Sequence, residues 1–163
     1  MPDNPDFLPP LLNLDGTYEE IMERLYAVFR RDFIERRAIH LGQNVTFNGV
    51  IDERSQGKVN GFWHVVERED PTEATRLFDH ERAKRLPWAK PIMENPHHKE
   101  IKFFFYEETD PRKGIRHYIW LEKYQYVVIL QRKPSYYVWV TAFYVDSWKT
   151  KDLQKRYERR IGP

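Results

Sequence analysis

Four β-prone runs in the C-terminal half, at 101–106, 116–121, 126–132 and 136–145, most constrain what this chain can become. The last three are joined by connections too short for a crossover, so they must lie antiparallel, as a meander. Centring the final hairpin on Pro134 pairs Leu130 with Val138 and Val127 with Thr141. Strict alternation of side chains then puts Trp139, Thr141 and Phe143 on one face.

A sheet this rich in tyrosine and tryptophan needs an apolar cover, and the N-terminal half supplies one. Thr17 and Glu20 have the spacing of a capping box. Ile21, Met22, Leu25, Val28, Phe29 and Phe33 then recur at intervals of three and four, which predicts an amphipathic helix over about 17–37. Between helix and meander, 44–50 and 58–68 have the β-branched and aromatic content of two strands, the second carrying His64. Asp70, Pro71 and Glu73 form a helix-start signal, predicting a short helix to about Leu86. Pro87, Pro91 and Pro96 predict an irregular stretch around Trp88 and Asn95. A basic helix is expected at 150–160.

The expected class is therefore α+β, with N-terminal helices packed on one side of a largely antiparallel meander and a short C-terminal helix. Residues 1–14, with four prolines, read as an extended arm, and residues 15–163 as a single domain. A length of 163 residues and 40% hydrophobic content suit one core.

Composition narrows the function. A formal net charge of +2 does not by itself predict a nucleic-acid partner, and the absence of cysteine excludes disulfides, thiolate metal sites and a cysteine nucleophile. No apolar run approaches the roughly 20 residues of a membrane span, so a cytoplasmic protein with no membrane partner is expected. Walker, dinucleotide-glycine and Gly-x-Ser-x-Gly motifs are all missing, so no cofactor is expected. Adjacent His97 and His98 read as a solvated turn and not as a metal site.

Three pieces suggest chemistry. His64 and Arg68 share one face if 58–68 is extended. Thr141 puts a hydroxyl at mid-strand, where it either satisfies a backbone group or faces a ligand. Arg82 and Arg85, three apart in a basic stripe that also holds Arg76, Lys84 and Lys90, have forks suited to phosphate, unless neighbouring Asp79 and Glu81 engage them. Such parts fit RNA cleavage without a metal, in which a base such as histidine deprotonates a 2′-hydroxyl and cations stabilise the phosphoryl charge.

The segments 25–33, 62–66 and 82–88, followed by a tyrosine-rich meander ending in Thr141-Ala142-Phe143-Tyr144, resemble phage- and prophage-associated members of the barnase, EndoU, colicin and RelE-like nuclease superfamily. The resemblance spans roughly 15–160. It implies helices followed by a four-stranded antiparallel sheet and a metal-independent, often toxin-like, ribonuclease. RNA would be the substrate, with an inhibitor or antitoxin protein as a further partner. Carried over by position, His64 resembles the strand histidine used as acid or base, Arg82 and Arg85 the phosphate-binding cations, and Thr141 the hydroxyl residue of the last strand. Arg68 and Tyr144 are added as substrate-binding candidates, and the second proton-transfer group stays open: Glu67 would point away from His64 on a regular strand, and Tyr144 or Tyr124 could serve. The rival readings are a non-catalytic RNA- or protein-binding module and an assembly component that uses the proline-rich arm.

Overall fold

The computed structural model describes residues 5–70, 72–73 and 75–163. Its first helix, α1 (Tyr18–Phe29), starts where Thr17 accepts from the backbone N–H of Glu20, and Arg30–Glu35 prolongs it as a π-helical turn. The apolar face read from the sequence is the buried one, with Leu25 and Phe29 fully enclosed. Two short strands follow, β1 (Ile39–His40) and β2 (Gln43–Thr46). The meander has the expected four strands: β5 (Lys102–Glu107), β6 (Ile115–Leu121), β7 (Tyr126–Arg132) and β8 (Tyr137–Tyr144). The sheet is larger than the meander. Its order is β1-β2-β8-β7-β6-β5, and β2 runs parallel to β8, giving six mixed strands where the resemblance implies four antiparallel ones.

The expected register of the last hairpin is corrected. Leu130 pairs with Trp139, and Val127 with Phe143, because the turn closes one residue later and a bulge falls between Ile129 and Leu130. The extra residue in β8 is Val140, and it reverses the alternation beyond it. Trp139 accordingly packs with Phe29 and Phe33 under α1, while Phe143 packs on the opposite face with Val127 and Ile129. The three residues expected to share a face do not.

That opposite face has its own cover. Helix α5 (Ser147–Glu158), capped by Asp146, lays Leu153 and Tyr157 against Phe104, Trp120 and Val127. Helices therefore lie on both faces of the sheet rather than one. From Pro5 onward the N-terminal arm is tied down: Leu12 N donates to Lys84 O at 2.9 Å, Trp88 Nε1 to Pro9 O at 2.8 Å, and Phe7 stacks on His98.

The middle of the chain departs most from expectation. Residues expected as a strand over 58–68 form helix α2 (Asn60–Val66), and only then strand β3 (Glu67–Asp70). Tertiary packing overrides the β-propensity of Phe62, Trp63, Val65 and Val66, all of which are buried. Gly61 makes this possible, since a Cβ there would lie 3.1 Å from Asn48 O, and its own N–H donates to that carbonyl at 2.8 Å. The helix expected from Asp70 is also corrected. Asp70 Oδ1 accepts from Thr72 N and Oγ1, an Asx turn that leads into strand β4 (Thr75–Phe78), paired antiparallel with β3. The proposed helix start at Pro71 lies outside the described residues.

The helix begins later, as α3 (His80–Lys84), with Asp79 as its cap. The proline-rich stretch is helical too, a 3₁₀ turn (Leu86–Trp88) followed by α4 (Ala89–Glu94). Pro87 and Pro91 each fall in a first turn, where a missing N–H leaves no bond unmade.

Candidate functional site

Helix α2 ends at the exposed reach of β8 that β2 does not cover, and α3 packs beside it. His64 sits at this junction on a helix, not on a strand as the resemblance implies, so the shared face with Arg68 does not form. Between the buried residues 61–63 and 65–66 of α2, His64 is half-buried and turns outward, as does Asn60 at the start of the helix. Its imidazole makes no hydrogen bond among the described residues and borders two recesses. One, of about 260 Å³, runs from His64 past Trp63 and Asn60 to Tyr18; the other, of about 340 Å³, is bounded by Arg82, Val140 and Thr141. Arg76, from β4, borders both.

Arg82 organises the site from below. Its Nη1 donates to the carbonyls of His64 at 3.1 Å and Glu67 at 2.8 Å, satisfying C-terminal acceptors that α2 leaves open. Its Nε faces Asp79 Oδ2 at 3.4 Å as an ion pair without hydrogen-bond alignment. Nη2 makes no hydrogen bond among the described residues, and Arg82 borders the second recess. Thr141 Oγ1 lies 3.5 Å from both Arg82 Nη1 and His64 O, at the outer limit for a hydrogen bond. The hydroxyl is only loosely satisfied by the backbone while it borders the recess.

Two residues that the sequence reading named but left out of the site belong here. Glu67, expected to point away from His64, borders the first recess because the chain turns from helix to strand at that residue. Arg76 Nη2 donates to Glu67 O at 3.1 Å, and its Nε stands 3.5 Å from Glu67 Oε1. Only the β3–β4 hairpin brings Arg76 back to His64. A helix over 70–86 would carry it away.

The local field is cationic. Burial first, and Arg76 and Arg82 next, hold His64 below its ordinary 6.5, with Glu69 pulling the other way. Burial raises Glu67 above 4.5 against the pull of Arg76. Lys149, at the start of α5, is lowered by burial and then by Arg82, and it rests 4.9 Å over the Phe143 ring. Exposed Arg68, on β3, adds to the field felt by Arg82 and Lys149 without bordering either recess.

Arg85 and Tyr144 are brought together, but away from His64. Arg85 Nη1 donates to Glu81 Oε2 at 2.6 Å and to Glu81 O, and its guanidinium lies 4.8 Å over the Tyr144 ring. Tyr144 donates its hydroxyl to Gln125 Oε1. Arg82 and Arg85 therefore do not share a recess; Arg82 and Arg76 do.

Elsewhere, His97 and His98 lie in a turn, with His98 Nδ1 accepting from Glu100 N. Among the described residues no group of three or more His, Asp or Glu side chains is placed to hold a metal ion, and no helix is long and apolar enough to cross a membrane. No family model, curated protein or solved structure matches the chain.

Proposed function

We propose that the protein is an endoribonuclease that cleaves RNA without a metal, and that His64 and Glu67 are its proton-transfer pair. The observation that carries this reading is an imidazole with no hydrogen-bond partner among the described residues, set between two recesses and flanked by a half-buried carboxylate and two guanidinium groups. The 2′-oxygen attacks the adjacent phosphorus, and one of the pair takes its proton. The P–O5′ bond breaks, and the other gives the leaving 5′-oxygen a proton, so the products are a 2′,3′-cyclic phosphate and a 5′-hydroxyl. Arg76 and Arg82 stabilise charge that grows on the phosphoryl oxygens, which such preorganised donors do best in a site of low dielectric. Thr141 adds a hydroxyl at the same wall.

The order of segments that resembles the nuclease superfamily supports the same reading, and with it a toxin-like role and a neutralising protein partner. A non-catalytic RNA-binding module is favoured by one observation, Trp148 beside Lys149 and Lys151 with 82% of its surface exposed, which offers a base a ring without any chemistry. The test is incubation of the purified protein with mixed cellular RNA in chelator, beside His64→Ala. Cyclic-phosphate ends made by the wild type alone are expected. Intact RNA that is nonetheless bound would overturn the enzyme in favour of the module.

A further inference from the structure

The two recesses that meet at His64 differ in kind. The second has the chemistry of a phosphate site, with Arg76, Arg82 and the Thr141 hydroxyl; its one carboxylate, the exposed Glu69, stands 3.8 Å from Arg76 Nη1. The first has an aromatic wall, with Tyr18 46% exposed and Trp63 behind it, and side-chain amides from Gln56 and Asn60 with the Asp52 carboxylate. A ring face beside mixed donors and acceptors matches the two surfaces of a nucleobase, its π-face and its hydrogen-bonding edge. The size is also suitable: about 260 Å³ is below the roughly 300–1,000 Å³ that drug-sized ligands need, and so suits one heterocycle.

This recess is built in advance. Trp63 Nε1 donates to Ser55 O at 3.0 Å, tying the loop before α2 to the helix that carries His64. Inside the loop, Asp52 N donates to Ser55 Oγ, Arg54 N to Asp52 Oδ1, and Asn60 Nδ2 to Asp52 Oδ2. Tyr18 is held edge-on to Phe78, at the end of β4. Little ordering is left for a ligand to impose.

The position of the proton-transfer pair fixes which nucleotide enters. His64 and Glu67 both border the first recess, whereas only His64 borders the second. The 2′-oxygen and the leaving 5′-oxygen stand on opposite sides of the phosphorus, so base and acid face different nucleotides. With Glu67, which borders the first recess alone, as the base and His64, which borders both, as the acid, the attacking ribose and its base lie on the side of the first recess and the phosphate in the second. Resting on the ribonuclease reading above, we infer that the recess between Tyr18 and Trp63 receives the unpaired base of the nucleotide 5′ to the scissile bond, and that the substrate is single-stranded RNA. A base stacked and paired in a duplex cannot reach it.

The test uses a short single-stranded RNA with one cleavage site. An abasic ribose, its 2′-hydroxyl retained, replaces first the nucleotide 5′ to the scissile bond and then the one 3′ to it. The 5′ replacement is expected to lower kcat/KM by about tenfold or more, the range one base–aromatic stack implies, and the 3′ replacement by far less. Tyr18→Ala, checked for an unchanged melting temperature, should lower kcat/KM on the parent RNA by a similar factor and add little on the 5′-abasic RNA, as a shared interaction requires. If the parent RNA is cleaved but the 5′ replacement is neutral, or the 3′ replacement costs more, the base site is overturned and the ribonuclease stands. If the parent RNA is neither cleaved nor bound, both readings fall together.

Discussion

Two histidine environments in this molecule invite the same first description and turn out to be opposites. His64 and the pair His40–His117 are all held below the ordinary 6.5, with burial as the leading cause in each case. In the pair, every ring nitrogen is engaged. Arg132 Nε donates to His117 Nε2 at 3.0 Å; the 3.0 Å contact between His117 Nδ1 and His40 Nε2 continues the chain, which ends at Met93 O, 2.8 Å from His40 Nδ1. Because Met93 O only accepts and Arg132 only donates, each histidine is neutral, with its proton on Nδ1. His64 has the shifted proton affinity but none of the bonds. A displaced pKa marks burial, and unspent hydrogen-bonding capacity facing a recess marks the site.

The largest effect that would break this contrast is on catalysis. His64→Ala is expected to lower kcat/KM by about 10²–10⁴-fold, the usual worth of an acid–base group, with little change in the urea midpoint. A comparable loss of folding would return His64 to the structural class. The converse holds for His117→Ala. It strands His40 Nε2 in a closed interior and leaves a cavity, while the exposed Arg132 turns to solvent, so about 3 kcal/mol of stability is expected to go, read by urea unfolding at pH 7.5. The folded fraction should keep its kcat/KM.

Arg82→Gln probes the join between structure and chemistry, because Nη1 serves the backbone while the same residue borders the second recess. Expected are a loss of about 1.5–3 kcal/mol, typical of hydrogen bonds to a charged donor, and a lower kcat at nearly unchanged KM. Retention of both would remove Arg82 from the account.

The pH dependence separates the two histidine classes directly. His40 is lowered to about 4 and His117 to about 3, so between those values and 6.5 the unfolded chain binds protons that the folded chain does not. Their contribution to stability is complete above pH 6.5 and is lost as pH falls, at up to about 1.4 kcal/mol per pH unit for each histidine. A melting temperature that stays flat from pH 7.5 to 5 would sink the neutral pair. Activity should behave differently. Whichever of His64 and Glu67 begins protonated, the reactive form carries one proton between them, so kcat/KM should peak between their two pKa values. Glu67 is pushed up from 4.5 and His64 down from 6.5, which puts the optimum on the acid side of neutrality.

The smallest effect is ionic. Raising salt from about 50 to about 200 mM should lower kcat/KM by roughly twentyfold, the counterion release expected for some three neutralised phosphates on a single strand. A salt-independent rate would argue against a phosphate site at Arg76 and Arg82.

The sequence by itself determined the elements whose signal is local. The capping box and apolar period of α1, the four β-prone runs of the meander and the basic terminal helix are properties of short segments, and each is present within a few residues of its expected place. It also brought His64, Arg82 and Thr141 forward as companions, and the fold puts all three at one recess. Tertiary structure decided what depends on distant surfaces. The aromatic run around His64 becomes a helix because its buried side chains and Gly61 meet the segment at Asn48, and Asp70 makes a hairpin turn where it equally resembles a helix cap. That hairpin is what brings Arg76 back, and the turn from α2 into β3 sets Glu67 at the recess that His64 borders, while Arg85 is drawn off to Glu81 and Tyr144. The bulge at Val140 is of the same kind, one residue that splits Trp139 and Phe143 between opposite faces. Local patterns fix where a chain bends and coils, but which side chains finally share a cleft is set by packing energies summed over the whole core, and no short window of residues contains that sum.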